Sequence, residues 1–188
     1  MRVDPGGAAP HTPWDIFEAE KRALVGIECL IEDPAWEEVG LDGLAACACV
    51  AALDELGLAV ARFEISVLGC SDARIAALNA DFRARPQPTN VLSWPAEAVE
   101  VLPGEMPELP EVTETGPARE LGDIAIAHGV CTRESAAAGK PFEHHVTHLL
   151  VHGTLHLLGF DHISDADAAL MEGLETRILA RLGVPDPY

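Results

Sequence analysis

"HLLVHGTLHLLGFDHISD", residues 148–165, sets four of the chain's eight histidines among Leu, Val and Phe. His152 and His156 are four residues apart. That is about 400° of helical rotation, so both imidazoles lie on one face, one turn apart. Gly159 then supplies the left-handed conformation that ends a helix. Beyond it the chain can turn back and bring the third imidazole, His162, to the same point. Three neutral imidazoles leave one tetrahedral position open, the mark of a catalytic rather than a structural zinc site. The competing reading is three core histidines, each needing its own partner among Leu, Thr and Val at a cost in buried polarity.

The spacing His152–His156–Gly159–His162 equals the histidine and glycine frame of the zinc-peptidase motif HExxHxxGxxH. In that motif a glutamate after the first histidine is the general base. Here the position is Gly153, which argues against a standard peptidase. His144 and His148 continue the same side of the helix. His148 either supports the centre as an acid, base or imidazole partner, or hydrogen-bonds within the fold. Asp161 either orients an imidazole, as carboxylates behind metal ligands do, or forms the turn. His145 and His128 carry no signal of their own.

Outward from this helix the chain alternates strands and helices. Residues 23–31, "ALVGIECLI", read as a strand and "DPAWEEVGL" as a turn. Residues 41–58 read as a helix stopped by Gly57, and 61–69 as a half-buried strand with Phe63, Ile65 and Val67 on its inner face. Residues 70–84 read as a helix capped by Ser71 or Asp72, 89–95 as a strand stopped by Pro95, and 121–128 as another strand. Helices follow over 130–139, from Pro141 to Leu158, and over 165–183, the last with Leu170, Leu174, Ile178 and Leu182 at helical spacing. The fold class expected is α+β: one domain, a mixed four-stranded sheet packed with helices, and a zincin-like three-histidine site at the end of a buried helix. The first two βα units suit parallel pairing; strands 89–95 and 121–127 suit antiparallel pairing.

Residues 1–20, rich in Pro and Gly, are expected to form a flexible tail before a domain spanning 21–188. Residues 96–120 hold seven glutamates, four prolines and one arginine, and read as a solvated acidic loop inserted in that domain. With 188 residues, 48% of them hydrophobic, the chain has ample material for one core. Its 31 acidic against 12 basic residues give a net charge of −19. A polyanion is repelled at long range, so any nucleic-acid contact must rest on a local cluster of cations. The five cysteines are odd in number and include no CxxC pair; they read as small core residues in a reducing compartment. The start of the chain has no apolar h-region and no run is long enough to span a bilayer, so a cytoplasmic location is expected.

"HGTLHLLGFDH" resembles the HGxLHLxGYDH signature of the bacterial YbeY endoribonucleases, metal-dependent rRNA maturation factors. "LNADFRARPQPTNVLSWP" is similar to that family's LN…FR…PTNVLSFP segment, "LGDIAIA" to its LGDI strand, and "DPY" to its usual ending. Phe160 and Trp94 stand where the family usually has Tyr and Phe. These likenesses run from about residue 78 to 188; the tail and the acidic loop resemble lineage-specific elaborations. The resemblance implies a hydrolytic zinc site with His152, His156 and His162 as ligands, one ion per chain, with another divalent ion such as nickel able to occupy three histidines. It also implies a functional Arg83. A guanidinium there would grip a phosphate with paired hydrogen bonds; the alternative is an arginine complementing a helix C-terminus. Arg85 is a candidate helper.

The implied activity is single-strand-specific cleavage of RNA in 16S rRNA 3′-end maturation and ribosome quality control. The implied partners are rRNA precursors and the small ribosomal subunit or its proteins. Zinc would lower the pKa of a bound water or polarise a phosphoryl oxygen; without a glutamate at 153, attack by water and attack by the RNA 2′-hydroxyl both stay open. Two rivals remain: a metal-binding ribosome assembly factor with little catalysis, favoured by the negative charge, and a peptidase-like zinc hydrolase, disfavoured by Gly153.

Overall fold

The computed structural model describes residues 26–99, 101–111 and 116–188. The expected tail over 1–20 and the start of the first strand lie outside the described residues. Four strands, β1 (Gly26–Ile31), β2 (Phe63–Cys70), β3 (Val91–Pro95) and β4 (Arg119–Ala127), form one sheet in the order β1-β2-β4-β3. β1, β2 and β4 run parallel, and β3 pairs antiparallel with β4. Six α-helices accompany them: α1 (Ala35–Val39), α2 (Leu41–Glu55), α3 (Asp72–Arg83), α4 (His128–Ala138), α5 (Phe142–Leu157) and α6 (Asp165–Arg181). The architecture is the mixed α+β sheet expected, with both pairing directions as anticipated.

Alternation in β2 sets the layers. Phe63, Ile65 and Val67 are buried and pack with α2, α5 and α6 in the main core. On the other side Ile75 of α3 packs with Leu92, Ala125 and Ala127 in a smaller cluster. α5 is buried along most of its length, including Leu150, Val151 and Leu155 at 0% exposure. The cysteines 47, 49, 70 and 131 are buried as small core residues, and burial pushes the Cys49 and Cys131 thiols up to about 12.

Four differences have local causes. "DPAWEEVGL" contains the short helix α1, because Asp33 Oδ1 accepts the Ala35 N–H at 3.1 Å and Trp36 is fully buried, its Nε1–H donating to the Cys70 carbonyl. β4 begins at Arg119, whose side chain pairs with Glu97 at 2.6 Å. The strand ends at Ala127, since His128 opens α4 and stacks edge-on against Trp36. Within the loop read as solvated over 96–120, some described residues pack: Val99 and Pro107 lie over Gly159, and the Gly104 N–H donates to Asp167 at the start of α6.

Candidate metal centre

Pro141 caps α5 and the helix runs to Leu157. Its end is built by two backbone bonds, Gly159 N–H to the His156 carbonyl and Phe160 N–H to the Leu155 carbonyl. Together they close a left-handed turn in which Gly159 has φ +89°. This turn places His162 beside the helix. The His162 ring centre lies 5.3 Å from that of His152 and 5.1 Å from that of His156. One nitrogen from each of the three rings falls within 4.8 Å of the others, so this trio could hold a metal ion.

The hydrogen bonds behind the rings define which nitrogens face the centre. His156 Nδ1 lies 2.9 Å from the Phe160 carbonyl, and His152 Nδ1 lies 2.8 Å from Glu175 Oε1. A carbonyl and a carboxylate only accept, so both Nδ1 atoms carry the hydrogen. The two Nε2 atoms, 3.0 Å apart, then point bare lone pairs at one another. His156 resists protonation: burial first, then its histidine neighbours His152 and His162, lower it to about 4. The donor set therefore suits a cation between the rings. Two nitrogens each about 2.0–2.1 Å from a tetrahedral zinc stand about 3.3 Å apart, close to the separation present. The residues fit such an ion.

Glu175 is the residue that the sequence reading missed. It is fully buried on α6, beside Met171, Leu174 and Ile178. Its Oε1 takes His152; its Oε2 takes His148 Nε2 at 2.9 Å and the Tyr188 hydroxyl. Burial alone would raise its carboxyl, but the bonds from His148, His152 and Tyr188 prevail and hold it at about 2. Its ionised form is thus fixed against the His152 ring. An acid on the apolar stripe of a helix, where a buried charge needs partners, was the available signal.

His148 hydrogen-bonds within the fold, through Glu175. Asp161 Oδ1 accepts the His162 backbone N–H at 2.7 Å, a bond within the turn after Gly159. His145 binds Glu134, which also takes the Asn90 amide. A cleft of about 300 Å³ opens on the centre, lined by Asn90, His148, His152, His162, Met171 and Tyr188 among others. Arg83 and Arg85 do not line it. Arg83 is the exposed last residue of α3; Ala84 follows at φ 54°, and the Arg85 N–H donates to the Asn79 carbonyl. A larger cleft, about 550 Å³, lies between α3 and the sheet, lined by Leu30, Phe82, Trp94 and Asp123 with no histidine.

Gly153 has a packing reason. It is buried where α5 crosses β4, and a Cβ there would meet Ile124 side-chain atoms at 3.2–3.4 Å. The place of the peptidase glutamate is thus taken by a helix–sheet contact. No helix among the described residues is long and apolar enough to cross a membrane.

Comparison with known proteins bears on the fold and the family. A solution structure of TM1509 from Thermotoga maritima shares the fold, with TM-score 0.55 and 20% identity over 83% of this chain and 88% of that one. Proteins named Endoribonuclease YbeY are similar along most of their length. That of Jannaschia sp. (strain CCS1) is 57% identical over 86% of this chain and 99% of its own. That of Ruegeria pomeroyi is 59% identical over 86% and 97%. The family model described as Endoribonuclease YbeY matches residues 36–183. The chain belongs to the YbeY endoribonuclease family.

Proposed function

We propose that His152, His156 and His162 hold one zinc ion per chain and that the protein is a zinc-dependent, single-strand-specific endoribonuclease. It would act on rRNA precursors in 16S 3′-end maturation and ribosome quality control, in the cytoplasm, with the small ribosomal subunit or its proteins as partners. The observation that carries the reading is the pair of Nε2 atoms 3.0 Å apart, both rings committed through Nδ1 to acceptors. When bound, the ion supplies Lewis acidity for phosphodiester hydrolysis. The chain's own residues do the rest. Glu175 and the Phe160 carbonyl fix two rings, the Gly159 turn delivers the third, and the cleft opens beside them. Arg83 is the candidate to grip a phosphate as the substrate docks, with Arg85 beside it. The functional domain would span 21–188.

The test uses metal-quantified protein on single-stranded rRNA fragments, with His156→Ala and Arg83→Ala alongside. The expected result is cleavage by wild type and its loss in both variants. Equal residual cleavage by all three would refute the enzyme reading. The net charge of −19 and the placement of Arg83 outside the cleft favour a second reading, a metal-binding assembly factor with little catalysis. It predicts metal binding and subunit association with no cleavage. A peptidase-like activity lacks the carboxylate that Gly153 displaces.

A further inference from the structure

We propose that the Tyr188 ring is a stacking platform for one base of the single-stranded RNA, beside the histidine centre; this rests on the ribonuclease reading above. Tyr188 is the chain's single tyrosine and is 61% exposed, yet it lines the same cleft as His152 and His162. Its orientation is fixed at several points. The hydroxyl donates to buried Glu175, and the ring meets His148 nearly edge-to-face, 5.8 Å between centres at 82°. Its backbone N–H donates to Asp186 Oδ1 at 3.1 Å, and Lys140 Nζ donates to the Pro187 carbonyl at 2.6 Å. An exposed aromatic residue is thus held in place by hydrogen bonds in the lining of the cleft.

The charge of the cleft bears on the kind of contact it can make. Glu172 and Glu175 line this cleft, and among the described residues no arginine or lysine does, so phosphate attraction has little to work with here. A π surface holds a base without needing charge, and it does so for any base. Satisfying Glu175 needs only the hydroxyl; it does not require the ring to stay open. The contact is therefore expected to be tolerant of sequence and to require a base at one position.

The experiment places 2-aminopurine at successive positions of a single-stranded oligoribonucleotide and reads its fluorescence in stopped flow, before cleavage sets in. Wild type is expected to quench one position next to the cleavage site. Compared at equal zinc occupancy, Tyr188→Leu is expected to lose that quench and to bind about tenfold more weakly, the loss of one stacked base. Tyr188→Phe keeps the ring and is expected to keep the quench. If Tyr188→Leu matches wild type in quench and affinity, the platform is refuted while the ribonuclease reading stands. If Tyr188→Phe falls as far as Tyr188→Leu, the effect runs through the hydroxyl and Glu175, which also refutes it. If wild type binds none of these RNAs, the ribonuclease reading falls and the platform with it.

Discussion

Replacing Glu175 by Gln keeps the shape of the side chain and removes its charge. Between an ordinary glutamate at 4.5 and about 2 here, the ionised carboxylate contributes about 3 kcal/mol to the folded state. Because its folded value is depressed, this contribution is complete above about pH 4.5 and is lost as pH falls toward 2. The amide also has only one accepting oxygen for three donors, His152, His148 and Tyr188. If its NH₂ turns toward His152 Nδ1, the ring must move its hydrogen to Nε2 and stop being a ligand. Losing such a partner typically weakens metal binding 10–100-fold. Competition against a chromophoric chelator at pH 7 is expected to give a loss in that range, and urea titration a fall of up to about 3 kcal/mol. Zinc affinity within twofold of wild type, with unchanged stability, would refute the claim that Glu175 fixes the ligand ring.

Gly153→Glu drives a carboxylate toward Ile124 in the core and is expected to cost about 3 kcal/mol or more by urea unfolding, without creating peptidase activity on casein. Gly159→Val meets Val99 at 2.9 Å and forces a branched residue to φ +89°. It is expected to lower stability by about 2 kcal/mol and to lose bound zinc through displacement of His162, read by metal analysis. Metal-free protein is expected to lose stability as pH falls from about 6.5 toward 4. Burial and its histidine neighbours hold His156 neutral to about 4, so the unfolded chain takes up a proton that the folded one refuses; thermal melts across that range would detect it.

The histidine frame was legible because helix geometry alone converts the spacing of His152, His156 and Gly159 into a shared face and a turn. The strand β2 was legible from strict alternation, which only a half-buried strand needs. Glu175 was hidden because its partner His152 lies 23 residues away in sequence, and only tertiary packing of α6 on α5 joins them. The short α1 was read as a turn because five residues carry too little periodicity, and its cause is the burial of Trp36. The acidic, proline-rich composition of 96–120 suggested solvation, yet Val99 and Pro107 dock on Gly159; composition reports the many glutamates and not the few apolar contacts. Arg83 came from resemblance alone, and its place at the exposed end of α3 leaves its substrate role to experiment.

Metal content per chain in wild type and in His152→Ala, His156→Ala and His162→Ala tests the account most directly. Three converging imidazoles predict about one zinc per chain in wild type and its loss in each variant under the same chelator challenge. Undiminished zinc in all three variants would contradict the site.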